Sequence, residues 1–124
     1  MPTLIACLST GKGTWTEVSR IIQSKEWNKV FLVTNQFGKD NYMPGKNTEL
    51  VIIESFPETP AMAITEHIKK QLKDKISDFE IALNMASGSG KEHMAVLEAV
   101  MQLGLNFRQI TLNRNNVEVL GLKV

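Results

Sequence analysis

Glu80-Ile81-Ala82-Leu83-Asn84-Met85-Ala86-Ser87-Gly88-Ser89-Gly90-Lys91-Glu92 is the stretch from which the fold can be read. Glu80 to Met85 is short and mostly apolar, the pattern of a buried strand. It breaks on small residues at Ala86 to Lys91. Ser89-Gly90-Lys91-Glu92 then has the S-x-x-E spacing of a capping box, which opens a helix. Met94, Leu97, Val100 and Met101 recur at helical spacing, so the helix is expected to turn these inward and to end near Gly104. Strand, glycine-rich turn and helix in succession form the repeating unit of a parallel sheet.

The same unit opens the chain. Leu4 to Leu8 is a continuous apolar run, Ser9-Thr10-Gly11-Lys12-Gly13 a glycine-rich turn, and Thr14-Trp15-Thr16-Glu17 a second capping-box pattern. Val18, Ile21 and Ile22 give the apolar face of a helix from about Trp15 to Lys25. Lys29 to Thr34 reads as the second strand and Leu50 to Ile53 as the third. Between them, Asn35 to Asn47 reads as a long loop, which leaves open whether these two strands are parallel or antiparallel. Thr59-Pro60 reads as an N-cap followed by proline at the first helical position. Ala61, Ile64, Ile68, Leu72 and Ile76 then mark an amphipathic helix whose lysines form a solvated face. Phe107 to Leu112 and Val117 to Leu122 are two further strands, and Arg114-Asn115-Asn116 is the turn of an antiparallel hairpin.

The order is β-α-β-β-α-β-α-β-β. The expected fold is an α/β, Rossmann-like, doubly wound and largely parallel six-stranded sheet in the order 3-2-1-4-5-6, closed by the antiparallel hairpin. Residues 1–124 are expected to form a single domain, since the length suits one. A formal net charge of +1 argues against a broad surface for duplex nucleic acid. No segment has the length or apolarity of a membrane span. The one cysteine, Cys7, sits in an apolar run and reads as a buried small hydrophobe. These features lead to the expectation of a cytoplasmic protein. No cluster of His, Cys and carboxylates has metal-ligand spacing, and no cofactor is expected.

Ligands of open α/β sheets bind where the winding reverses, between the first and fourth strands in this order. Those are the two strands followed by glycine-rich turns. Glycines let backbone amides approach an anion, and each turn opens a helix whose N-terminus attracts negative charge. Lys12 and Lys91 lie in these turns. Lys39, Lys46 and Arg114 are expected on the same edge. The candidate ligand-binding residues are therefore Ser9, Thr10, Gly11, Lys12, Gly13, Ser87, Gly88, Ser89, Gly90, Lys91 and Arg114. Two nucleotide motifs fail. Gly11-Lys12-Gly13-Thr14-Trp15-Thr16 lacks the third glycine of G-x-G-x-x-G, and Gly90-Lys91-Glu92 lacks the hydroxyl that follows the lysine of a P-loop.

Ser9-Thr10-Gly11 after the first strand and Asn84 to Lys91 after the fourth resemble the CRISPR-associated Rossmann-fold (CARF) domain family. In that family the fourth strand runs into a small-residue turn ending in lysine and a helix. Gly88-Ser89-Gly90-Lys91 departs from the usual G-G-T-K form. The resemblance implies a homodimer that binds a cyclic oligoadenylate, with four or six nucleotides suited to twofold symmetry. It implies a role in type III CRISPR defence; most family members carry an effector domain, and a chain ending at Val124 is expected to be a stand-alone form. It also implies a metal-independent ring nuclease as a further activity, in which a ribose 2′-OH attacks its adjacent phosphate to leave a 2′,3′-cyclic phosphate. Ser9 and Lys91 would then be catalytic, Ser9 orienting the reacting group and Lys91 stabilising charge on phosphate. The other expectations are a Rossmann-like protein for a mononucleotide or sugar phosphate, and a non-catalytic assembly module.

Overall fold

The structure, a computed structural model, describes residues 2–9 and 12–121. Six strands form one sheet: β1 (Leu4–Leu8), β2 (Val30–Thr34), β3 (Thr48–Ile52), β4 (Glu80–Asn84), β5 (Asn106–Asn113) and β6 (Asn116–Val119). Their order is β3-β2-β1-β4-β5-β6. Every neighbouring pair is parallel except β5 and β6, which are antiparallel. This is the doubly wound, Rossmann-like sheet expected from the alternation of elements. Among the described residues, four α-helices connect the strands: α1 (Trp15–Ser24), α2 (Gln36–Asn41), α3 (Ala61–Leu72) and α4 (Gly90–Gln102).

Side chains of successive strand residues point to opposite faces, and the apolar runs fill both. Ile5, Cys7, Phe31, Val33, Ile81 and Leu83 meet Ile64 and Ile68 of α3 and Val96 and Val100 of α4. Leu4, Ala6, Leu8, Val30 and Leu32 meet Val18 and Ile21 of α1. Both β1 and β2 are buried along their whole length. Such two-sided burial is what makes the central strands of a parallel sheet read as unbroken hydrophobic runs.

The connection between β2 and β3 corrects the reading of Asn35 to Asn47 as a loop. α2 lies within it, capped by Asn35, whose Oδ1 accepts from the Gly38 amide at 3.0 Å. β2 and β3 are parallel, with Val30 opposite Thr48 and Thr34 opposite Ile52. A Cβ on Gly38 would stand 1.7 Å from Thr34 Oγ1, so only glycine lets this helix lie against the end of β2. That glycine, in a segment without apolar periodicity, is why the segment looks like a loop.

Other local expectations also shift. Thr14 makes no side-chain cap, because a 3-10 turn at Lys12–Thr14 leads into α1 and leaves Thr14 with helical backbone angles. Pro60 itself is the N-cap of α3, while Thr59 Oγ1 accepts from the Phe56 amide at 3.1 Å. α3 stops at Leu72 and does not reach Ile76, since Asp74 adopts φ +62°. Met94 and Met101 face outward, and the buried face of α4 is Ala95, Val96, Ala99 and Val100. The small residues let α3 approach so closely that Thr65 Oγ1 donates to the Ala95 carbonyl at 3.3 Å.

Candidate functional site

β1 and β4 run side by side, Leu4 opposite Ala82 and Ala6 opposite Asn84, so the turns that follow them leave the same edge of the sheet. They meet through side chains. The Ser9 amide donates to Ser87 Oγ at 3.0 Å, and Ser9 Oγ donates to Glu92 Oε2 at 3.3 Å. Asn35 Nδ2 reaches Ser9 Oγ at 3.4 Å, and Trp15 Nε1 donates to the Ser9 carbonyl at 2.7 Å. Ser9, Ser87 and Glu92 are all buried. The floor of the crevice is thus a closed hydrogen-bond network around a buried carboxylate.

Above this floor, Gly88, Ser89 and Gly90 are exposed. The capping box read from the sequence is complete: the Glu92 amide donates to Ser89 Oγ at 3.2 Å, and the Ser89 amide donates to Glu92 Oε1 at 2.7 Å. Gly88 adopts φ +108°, a backbone conformation that favours glycine. His93 Nε2 lies 2.8 Å from the Ser87 carbonyl, so that nitrogen carries the proton and donates. His93 therefore braces the turn. The amides of Gly90 and Lys91, at the first turn of α4, have no partner among the described residues. Unpaired donors at a helix N-terminus are suited to an anion.

Lys91 does not simply project into solvent. Its Nζ donates to the carbonyls of Phe56 (2.7 Å), Pro57 (3.3 Å) and Thr59 (2.7 Å). An ammonium has three protons, and here each has an acceptor on the segment between β3 and α3. The lysine fastens this segment to the start of α4.

The sequence-derived residues are only partly brought together. Ser9, Ser87, Gly88, Ser89, Gly90 and Lys91 converge on one edge. Thr10 and Gly11 lie outside the described residues. Lys12 contributes backbone to the 3-10 turn, and Gly13 is exposed within it. Arg114 sits at the tip of the β5–β6 hairpin with φ +59°, and its neighbour Asn115 accepts from Arg20 Nη1 of α1 at 3.2 Å. Lys46 is placed at the opposite edge: the adjoining Asn47 bonds the Val30 amide through its carbonyl and the Trp27 carbonyl through its Nδ2. The expected gathering of five cations on one edge is corrected to that extent, because α2 carries the chain back across the sheet before Lys46.

Three features escaped the sequence reading. Glu92 was visible as a capping residue but not as the partner of Ser9, from which it is separated by 83 positions. Asn35 was visible only as a loop residue. The segment Glu54 to Glu58 carried no motif and Thr59 only that of a helix cap, and the role of the segment comes from backbone carbonyls, which have no sequence signature.

No protein-family model and no curated protein matches this chain. Csm6 from Enterococcus italicus, in a structure with cyclic hexa-2′-fluoro-hexa-dAMP bound, matches it with a TM-score of 0.59. The fold is similar to part of that Csm6. The match covers 91% of this chain and 33% of the Csm6 chain, at 16% sequence identity. This chain therefore spans about a third of the length of Csm6, and at that identity the likeness concerns the fold. Among the described residues, no group of three or more His, Cys, Asp or Glu side chains could hold a metal ion. No helix among them is long and apolar enough to cross a membrane.

Proposed function

We propose that this chain is a CARF-type domain that binds a cyclic oligoadenylate of four or six nucleotides as a homodimer. Residues 1–124 would form one domain, acting in the cytoplasm in type III CRISPR defence. The carrying observation is the meeting of the β1 and β4 turns at the point where the winding reverses, with unpaired α4 amides and Lys91 above a closed floor. The fold likeness to a Csm6 with a cyclic adenylate analogue bound supports the same reading. Ser9 to Gly13, Ser87 to Lys91 and Arg114 are the proposed contacts, repeated in both protomers around a twofold axis. In this reading the phosphates lie over the α4 amides, and Lys91 exchanges part of its carbonyl bonding for phosphate.

The geometry favours binding over rapid cleavage. The Ser9 hydroxyl is buried and donates to Glu92, and the Lys91 ammonium is bonded to three carbonyls, so the two proposed catalytic groups are not poised on a common open point. Calorimetric titration with cyclic tetra- and hexa-adenylate tests the proposal. The expected result is binding in the micromolar range or tighter by at least one ring, with one ring per two chains. Lys91→Ala is expected to weaken it by about tenfold, the loss of one charge-assisted contact. Absence of binding by either ring overturns the proposal. Chromatography of the incubated ring is expected to return it intact, and rapid release of a 2′,3′-cyclic phosphate product would establish turnover instead.

A further inference from the structure

The carbonyls of Phe56, Pro57 and Thr59 hold the Lys91 ammonium at 2.7, 3.3 and 2.7 Å. Three backbone oxygens from one short turn thus converge on a single positive centre. The turn that presents them is largely self-built. The Thr59 amide donates to the Phe56 carbonyl at 3.0 Å, and the Phe56 amide donates to Thr59 Oγ1 at 3.1 Å. A carbonyl has two lone pairs, so that of Phe56 serves both Thr59 and Lys91. Pro57 and Pro60 each fix a backbone angle, and each restricts the residue before it, Phe56 and Thr59. The convergence of the carbonyls therefore does not depend on the lysine alone.

The surroundings suit a cation. Phe56, Pro57 and Glu58 are exposed, so an ion from solvent can reach the turn. Glu54 and Glu58 add two exposed carboxylates to the same segment, which raises the local concentration of cations. Lys91 also faces two claims. One ammonium cannot serve three carbonyls and, at the same time, a phosphate over the α4 amides. When it turns to the phosphate, three carbonyl dipoles are left with their negative ends together. Clustered backbone carbonyls can take the place of the hydration shell of a potassium ion, which is close in size to an ammonium.

We infer that the Phe56–Thr59 turn is a monovalent-cation site, filled by the Lys91 ammonium in the free protein and by potassium when Lys91 turns to phosphate. Ligand binding at the α4 N-terminus is then linked to potassium. The exchange rests on the phosphate reading of Lys91, whereas the carbonyl site itself does not.

Amide chemical shifts of the labelled Lys91→Ala protein test the site without any nucleotide. Potassium chloride is compared with tetramethylammonium chloride at equal ionic strength, so that general screening is the same in both. Potassium is expected to shift the amides of Phe56, Glu58 and Thr59 in the variant, saturably, and to leave them in place in wild type, where the lysine occupies the carbonyls. An otherwise unchanged spectrum confirms that the variant folds, and Lys91→Ser provides a second truncation. Wild type is expected to bind cyclic hexa-adenylate about fourfold more tightly in potassium than in tetramethylammonium, the linkage given by an ion at about three times its dissociation constant. A variant that responds alike to both salts overturns the inference whatever the ring does, and so does a free wild type that responds to potassium as the variant does. Ring binding that is indifferent to potassium overturns the exchange and leaves the cyclic-ligand proposal standing. If the variant responds as expected while neither cyclic hexa-adenylate nor its tetra-adenylate counterpart binds wild type, the carbonyl site stands and the cyclic-ligand proposal falls.

Discussion

Cys7 shows how placement alone decides the chemistry of a side chain. It lies in the middle of β1, 2% exposed, facing α3 and α4. Burial, with a smaller contribution from the Glu92 charge, pushes its thiol from 9.0 up to about 12. The thiol is therefore a hydrophobe at neutral pH, and thiol reagents are expected to modify it only on unfolding. The raised value has a stability consequence. The unfolded chain loses this proton near pH 9 while the folded chain keeps it, so the cysteine's contribution is complete below that pH. Between about pH 9 and pH 12 it declines by up to about 1.4 kcal/mol per unit. Cys7→Ala lowers stability at neutral pH by opening a small void. Its deficit against wild type is expected to shrink as pH rises through that window, measured by urea unfolding. A deficit that stays constant to pH 12 would show that Cys7 ionises equally in both states.

At the scale of elements, α2 depends on one missing methyl group. Thr34 closes β2, and its buried hydroxyl lacks a hydrogen-bond partner among the described residues. Gly38 lies directly over it. Gly38→Ala is expected to destabilise the protein by about 1–3 kcal/mol through overpacking. Thr34→Ala removes the nearest obstructing atom together with an unsatisfied polar group and is expected to cost little by itself. It should also recover part of the Gly38→Ala loss, so a double-mutant cycle should give a favourable coupling. Full additivity would mean that the two residues do not collide. The same pair shows what local sequence can reveal. The capping box at Ser89 and Glu92 was legible because its partners are three residues apart and its chemistry belongs to those residue types. α2 was not, because a glycine chosen for close approach looks the same in sequence as a glycine chosen for a turn.

For the whole molecule, the strand order could be read from the alternation of apolar runs with amphipathic helices. Short connections between parallel strands leave few ways to wind the chain. The convergence of the β1 and β4 turns followed from that order, and with it Ser9, Ser87 and the start of α4. The destinations of long polar side chains did not follow. Lys91 ends on carbonyls 32 to 35 residues away, and Lys46 is carried to the far edge by a helix with no apolar stripe. Glu92 adds a consequence for ligand choice. Both of its oxygens accept hydrogen bonds within the protein, yet its negative charge remains beneath the amides that would meet a phosphate. That charge works against concentrated anionic charge more strongly than against the same charge spread out. A phosphodiester spreads one negative charge over two oxygens, whereas inorganic phosphate near neutral pH is a mixture of singly and doubly charged ions and so concentrates more charge on a single small group. Millimolar inorganic phosphate is accordingly expected not to displace a bound cyclic oligoadenylate in a competition titration, and ready displacement would mean that Glu92 does not discriminate. On the proposed function, a buried carboxylate under the phosphate-facing amides would favour the diffuse linkages of a nucleotide chain over compact, more highly charged phosphate ions.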